Sequence, residues 1–187
     1  MDESLKTNRV RSKEFFTKYL SGKVIDIGAG QDLVIPTAER FDIEDGDANY
    51  ITQFRKTESY DTVHSSHCLE HMFNPVTALN EWWSLVKPGG YLILVVPDED
   101  LYEQGKWPPT FNLDHKNSFT IYKEESWCQN SINVFDLVKS LGNNVELVRL
   151  EQLSSNYRFD IPRYDQTLTP VAECGIEIIL RKKFMKQ

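Results

Sequence analysis

The chain has 187 residues, of which 40% are hydrophobic and 12% aromatic, which predicts one domain, residues 1–187, with a sizeable core. Its formal net charge of −7 argues against nucleic acid or a membrane surface as a partner, and no apolar run reaches the roughly 20 residues of a membrane span. Because the sequence shows no secretory leader pattern and its three separated cysteines form no disulfide framework, we expect a cytoplasmic protein.

The first elements predicted along the chain are a helix and a buried strand. Apolar residues at helical spacing predict a lead-in helix within residues 1–21, packed on the edge of a sheet. Residues 23–27 form an apolar run interrupted by one acid, and the run stops at Gly28-Ala29-Gly30. Glycine adopts a positive φ without steric cost and leaves room for a ligand beside the main chain. The pattern therefore predicts a parallel strand that ends at a ligand site.

Strands and helices alternate through the rest of the chain, which predicts a doubly wound α/β sheet whose last two strands could pair antiparallel. Further strands are predicted over residues 39–43, 60–65, 91–96, 145–150 and 175–181. Helical spacing of apolar residues predicts helices over 74–86 and 131–141. Two long polar loops with aromatic residues remain, 97–119 and 151–173, and loops of this length are often functional.

Two predicted strands end beside acidic residues, at the sheet edge where ligands of such folds bind. Asp26 could accept a hydrogen bond from a ligand amine or could cap the glycine loop, because a buried carboxylate is costly unless it is paired. Asp42 is placed to accept both hydroxyls of a ribose with its two oxygens. Glu44, Asp45 and Asp47 crowd the same turn, so the choice of ribose-binding acid stays open among the four.

A histidine-rich turn follows the third predicted strand, where His67, Glu70 and His71 would share one face of a helical turn. One histidine could act as a general base, the three side chains could bind a metal, or they could form a hydrogen-bonded structural turn. We favour the structural interpretation for Glu70 and His71, assign no metal ligand, and expect His67 to face a substrate. His115 lies on the first long loop, whose aromatic residues favour a lid over the strand ends.

Five segments occur in the order and spacing of one enzyme family. They are Val24-Ile25-Asp26-Ile27-Gly28-Ala29-Gly30, Asp42, Tyr60-Asp61-Thr62-Val63, Leu69-Glu70-His71 and Val86-Lys87-Pro88-Gly89-Gly90-Tyr91-Leu92-Ile93. Together they resemble class I S-adenosylmethionine-dependent methyltransferases of the methyltransferase-11 type, closely over residues 22–97 and more loosely in the last strands. The segment 97–119 is also similar to small bacterial methyltransferases associated with surface-glycan pathways.

The resemblance implies a fold and a set of cofactor-binding residues. The fold would be a Rossmann-like three-layer sandwich with a seven-stranded sheet of order 3-2-1-4-5-7-6 and an antiparallel strand 7. S-adenosyl-L-methionine would be the cofactor, and Asp42 would accept hydrogen bonds from its ribose. The residues implied to bind the cofactor are Asp26, Gly28, Ala29, Gly30, Asp42, Asp47, Ala48, Ser65, Ser66 and His67.

The glycine loop departs from the pattern of the family. Asp32 stands where a third glycine is usual, and only 11 residues separate Gly30 from Asp42. Because so few residues cannot hold a full helix, we expect a shortened first crossover helix that is a single turn or absent.

The combined pattern predicts an enzyme that methylates a small-molecule acceptor, such as a sugar or a glycan-pathway metabolite. The transfer is an in-line displacement that needs a base only for a hydroxyl or a protonated amine, and we assign His67 and His115 as the candidate catalytic bases. A nicotinamide-dependent oxidoreductase and a non-catalytic cofactor-binding or regulatory protein stay open as alternatives. The oligomeric state is left between a monomer and a homodimer.

Overall fold

The computed structural model describes residues 3–184, so the ends of the predicted 1–187 domain lie outside the described residues. Its main sheet runs in the order β2-β1-β3-β4-β8-β7. These strands are β1 (Val24–Ile27), β2 (Glu39–Phe41), β3 (Tyr60–Ser66), β4 (Val86–Pro97), β7 (Val145–Leu153) and β8 (Gly175–Lys182). Residues 3–184 contain four α-helices, α1 (Glu3–Val10), α2 (Lys13–Tyr19), α3 (Pro75–Leu85) and α4 (Val134–Lys139). A small parallel sheet pairs β5 (Ser118–Thr120) with β6 (Ser131–Asn133).

The doubly wound α/β fold predicted from the sequence is confirmed, with one strand fewer. Strands β2, β1, β3 and β4 are parallel, and β8 pairs antiparallel with both β4 and β7. The order is the expected 3-2-1-4-5-7-6 without strand 3, so the described part of the chain forms a six-stranded sheet instead of a seven-stranded one.

A short helical segment, Ala48–Gln53, stands where strand 3 was expected. The Asp47 carboxylate caps it by accepting a hydrogen bond from the amide of Asn49 at 2.8 Å. Hydrogen bonds from both ends then tie the segment to α3. The Trp82 indole donates to the carbonyl of Ala48 at 2.8 Å, and the Glu81 carboxylate accepts from the Thr52 amide at 3.0 Å. The cap and the hydrogen bonds to α3 thus satisfy backbone groups of this segment that would otherwise pair with a neighbouring strand.

The core explains why the central strands are nearly continuous apolar runs. Leu92 and Leu94 of β4 pack in the cluster that contains Trp82, whereas Ile93 belongs to the cluster that contains Phe15 and Tyr19. Successive side chains of a strand point to opposite faces, so α3 and α2 cover opposite sides of the same strand. This is the three-layer arrangement that the resemblance implied.

The lead-in segment forms two helices, α1 and α2, where the sequence pattern predicted one. The Ser12 hydroxyl caps α2 by accepting from the Phe15 amide at 3.3 Å. Next to it, the Arg11 guanidinium lies 2.6 Å from a Glu177 carboxylate oxygen, and both side chains are buried. The buried ion pair and the serine cap fix the break between the helices.

The predicted helix over 131–141 is shorter than expected, because its first residues form β6. The Asn133 side chain caps α4 and accepts from the Phe135 amide at 2.8 Å.

The predicted loop 97–119 contains one helical turn, Glu99–Glu103, where the Asp98 carboxylate accepts from the Asp100 and Leu101 amides.

The first crossover contains no helix within residues 28–38, as the short spacing predicted. Among residues 3–184, none of the helices has the length and apolar character needed to cross a membrane.

Candidate functional site

A cavity of about 350 Å³ lies at the carboxyl ends of β1 and β3. The glycine loop after β1 forms one wall, and the histidine-rich turn after β3 forms another. Tyr102, Asn112 and His115 contribute from the first long loop, while Glu3 and Ser4 contribute from α1. Its volume is at the lower end of the roughly 300–1,000 Å³ usual for small-molecule sites.

The two glycines of the loop both adopt a left-handed backbone, at φ +73° for Gly28 and +57° for Gly30. A Cβ at Gly28 would lie 2.6 Å from the Cβ and the Sγ of Cys68, so this glycine allows the two loops to pack closely. A Cβ at Gly30 would meet no atom of the described residues within 4 Å. Gly30 therefore leaves open space beside the main chain, and it lines the cavity.

The Asp26 carboxylate reaches the cavity wall but is paired within the chain. One oxygen lies 2.6 Å from Nδ1 of His64, and the other accepts from the Val34 amide at 2.6 Å. Asp26 is 1% exposed, and these two contacts compensate its burial. The bond from the Val34 amide ties the first crossover to β1.

The four acids after β2 differ in their contacts with the glycine loop. The Asp42 carboxylate accepts from the Gly30 amide at 2.6 Å and thus points at the glycine loop. Glu44 and Asp45 pair with the Arg40 guanidinium. The fourth acid, Asp47, caps the segment that replaces strand 3. Of the four, Asp42 is the one joined to the loop that lines the cavity.

Sequence reasoning missed Arg40. Its Nε donates to the Gly30 carbonyl at 2.7 Å, and its guanidinium also lies near Asp42, Glu44 and Asp45, so the same side chain anchors the glycine loop and pairs with three acids of the turn. The signal available in the sequence was one basic residue in β2, directly before a turn that carries four acids.

The predicted cofactor residues divide into two groups around the cavity. Its lining includes Asp26, Gly28, Ala29, Gly30, Ser66 and His67. Asp42, Asp47, Ala48 and Ser65 lie outside that lining. The Ser65 hydroxyl donates to the Ile27 carbonyl at 2.9 Å and ties β3 to β1, whereas the buried Ser66 hydroxyl has no hydrogen-bond partner among the described residues.

His67 lies at the mouth of the turn with a left-handed backbone, at φ +52°. Its Nδ1 is 3.4 Å from Oε1 of the fully buried Glu70, an ion-pair contact rather than an aligned hydrogen bond. Burial of the ring opposes protonation, but the Glu70 carboxylate outweighs it and raises the pKa of His67. Burial acts to raise the pKa of Glu70 as well, yet the neighbouring imidazoles, His67 first, hold it below its usual value.

The other two histidines of the site face the same glutamate. Nε2 of His71 and Nε2 of His115 lie 3.9 and 3.8 Å from Oε1 of Glu70. The predicted catalytic residues His67 and His115 are thus brought to one cavity, with Glu70 between them. Glu103, which sequence reasoning missed, is buried and lies 2.9 Å from Nδ1 of His115.

Comparison with known proteins identifies relatives of this chain. Residues 5–131 match a family model described as a methyltransferase domain. Among curated protein sequences, none matches the chain significantly.

Several solved structures share the fold. One is a chain of the complex between the Haloferax volcanii Trm112 methyltransferase activator and a methyltransferase, at 12% identity and TM-score 0.58, covering 97% of this chain and 94% of that one. A Thermotoga maritima SAM-dependent methyltransferase, described as a possible histamine N-methyltransferase, matches at 16% identity and TM-score 0.58, covering 98% and 88%. A SAM-dependent methyltransferase from Archaeoglobus fulgidus matches at 15% identity and TM-score 0.54, covering 98% and 95%.

Proposed function

The chain belongs to the methyltransferase domain family, and on that premise we propose that it methylates a small polar acceptor with S-adenosyl-L-methionine as the methyl donor. The observation that carries the proposal is the Asp42–Gly30 hydrogen bond, which joins the acid after β2 to an open glycine loop on the cavity. Family membership favours this activity over the nicotinamide-dependent alternative, because Leu33 stands where the third glycine of the G-x-G-x-x-G dinucleotide pattern would be.

The residues around the glycine loop suit this cofactor. The open space at Gly30 is a cradle that any side chain would enter, and the unpartnered Ser66 hydroxyl on the cavity wall can bind a polar ligand group. Asp42 would hold the ribose hydroxyls, and Gly28, Ala29 and Gly30 would line the cofactor. When bound, S-adenosylmethionine supplies an electrophilic methyl group on its sulfonium.

The remaining predicted cofactor contacts are less direct in this proposal. Asp26 would act through the loop that it fixes, and Ser65 through the pairing of β3 with β1. Asp47 and Ala48, at the start of the segment that replaces strand 3, would border the adenine.

The opposite wall of the cavity would receive the acceptor. Polar side chains such as Ser4 and Asn112 line it together with Glu3, which suits a polar molecule such as a sugar or a glycan-pathway metabolite. His67 is the proposed general base for an acceptor hydroxyl or protonated amine, because its ring lines the cavity next to a carboxylate that would stabilise the imidazolium. His115, the second candidate, has its Nδ1 held by Glu103 and its Nε2 turned to Glu70.

The proposal is tested by transfer of a radiolabelled methyl group from S-adenosylmethionine to a panel of sugars, nucleotide sugars and small polar metabolites. We expect the wild-type chain to label at least one member and Asp42→Ala to lose most of that activity through weaker cofactor binding. If the chain binds the cofactor but labels no acceptor, the non-catalytic alternative is favoured. Full turnover by His67→Ala with the identified acceptor would exclude His67 as the base.

A further inference from the structure

Three side chains on the cavity wall bring potential metal ligands together. Glu70 and His71 come from the turn after β3, and His115 comes from the first long loop. One ligand atom from each side chain lies within 4.8 Å of the others. The loop closes onto the turn through backbone bonds, since the amides of Lys116 and Asn117 both donate to the Glu70 carbonyl, at 3.0 and 3.1 Å.

Both imidazoles are oriented by carboxylates on their outer side. Nδ1 of His115 lies 2.9 Å from Oε1 of Glu103, and Nδ1 of His71 lies 3.0 Å from Oδ2 of Asp114. Because a carboxylate only accepts hydrogen bonds, each Nδ1 must donate the proton. In the neutral imidazole, Nε2 then carries a lone pair, and the Nε2 atoms of His71 and His115 lie 3.9 and 3.8 Å from Oε1 of Glu70.

Glu70 is unusual at the centre of this arrangement. It is 0% exposed, and within residues 3–184 neither of its carboxylate oxygens makes a hydrogen bond. Burying a carboxylate without a hydrogen bond is costly, and the His67 ring, 3.4 Å away, is its nearest basic group. A cation held between Glu70 and the Nε2 atoms of His71 and His115 would compensate the buried charge further. The donor set of two histidine nitrogens and one carboxylate oxygen is typical of transition-metal sites. In such sites the second nitrogen of each histidine commonly donates to a carboxylate, as it does here.

We propose that Glu70, His71 and His115 bind one divalent transition-metal ion, such as Zn²⁺ or Mn²⁺. Bonds of about 2.0–2.1 Å in tetrahedral geometry place ligand atoms about 3.3 Å apart. The ligand atoms now lie 3.8 and 3.9 Å from Glu70 and within 4.8 Å of one another, so binding an ion would draw them together by about 0.5–1.5 Å. The mixed nitrogen and oxygen donors favour such ions over Mg²⁺ and Ca²⁺, which prefer oxygen alone.

Three protein ligands leave coordination positions open, and all three residues line the cavity. An oxygen of the acceptor, from a hydroxyl or a carboxylate, is the ligand class that these positions would take. That use of the ion rests on the proposed function, whereas binding of the ion itself does not.

The proposal is tested by calorimetric titration of the chelator-treated, tag-free chain with Zn²⁺ and, separately, with Mn²⁺. We expect one ion per wild-type chain and a more than about 100-fold loss of affinity in Glu70→Gln, since loss of even an outer-shell partner costs about 10- to 100-fold. Glu124→Gln is the matched control, because it removes the same charge at an exposed position and should bind as the wild type does.

Thermal unfolding of the same proteins gives a second readout that is independent of methyl transfer. The ion should raise the midpoint temperature of the wild type and of Glu124→Gln but not that of Glu70→Gln. If Glu70→Gln does not fold, His71→Ala replaces it, because His71 is partly exposed and its removal leaves the core intact. No binding by the wild type, or equal binding by wild type and ligand variants, would overturn the proposal, whatever the outcome of the transfer assay.

Discussion

Alanine substitutions at the two glycines of the loop should have unequal effects on the free energy of unfolding. Both glycines have a left-handed backbone, which costs a residue with a side chain about 1–2 kcal/mol. At Gly28 the new methyl group would also lie 2.6 Å from Cβ and Sγ of Cys68, and overpacking of this kind costs about 1–3 kcal/mol more. We therefore expect Gly28→Ala to lose about 2–5 kcal/mol and Gly30→Ala about 1–2 kcal/mol.

Urea unfolding of the wild type and both variants, followed by tryptophan fluorescence, measures this difference. Calorimetric titration with S-adenosylhomocysteine then separates stability from binding. Gly30→Ala should keep its fold but bind the ligand more weakly, because its methyl group would project into open space beside the cavity. Equal losses of stability in the two variants would refute the reasoning from the Cys68 contact. Unchanged ligand affinity in Gly30→Ala would refute the placement of the cofactor against this glycine.

Two further predictions concern buried groups away from the glycine loop. Arg11→Ala should lower the free energy of unfolding by about 3–5 kcal/mol, because it leaves the Glu177 carboxylate buried without its main partner. Arg149→Ala is the control and should cost less, since Arg149 is largely exposed. Equal losses of stability in the two variants would contradict this prediction. At pH 8 the native chain should resist alkylation by iodoacetamide, whereas the urea-unfolded chain should take up three equivalents; rapid labelling of the folded chain would contradict this. Burial raises the thiol pKa of all three cysteines, Cys68, Cys128 (to about 11) and Cys174 (to about 12).

The sequence predicted the central sheet well because its strands are buried on both faces and read as apolar runs. The run at 91–96 lies within β4, and the glycines after β1 mark the end of that strand at the cavity. Strand 3 was expected only from the resemblance, since the residue pattern predicted no strand between residues 43 and 60. The pattern did not predict the helical segment Ala48–Gln53 that stands there. That segment depends on the Trp82 bond to the Ala48 carbonyl and on the cap from Asp47, and neither contact leaves a periodic pattern in the sequence.

The sequence named several of the side chains that line the cavity, but not Arg40 or Glu103 and not their geometry. Sequence spacing grouped His67, Glu70 and His71, yet it could not show that His115 meets them across a long loop. Nor could spacing show that Glu103 and Asp114 orient the two imidazoles, because those partners come from separate positions of that loop. Contacts between distant segments depend on loop closure, which local patterns do not encode.

The central claim is that the cavity beside Gly30 and Asp42 binds S-adenosylmethionine, and calorimetric titration of the wild-type chain with S-adenosylhomocysteine tests it most directly. A parallel titration with NADH serves as the control for a nicotinamide site. We predict one-to-one binding of S-adenosylhomocysteine, lost or strongly weakened in Asp42→Ala, and no binding of NADH. Binding of NADH without S-adenosylhomocysteine, or full affinity in Asp42→Ala, would contradict the claim.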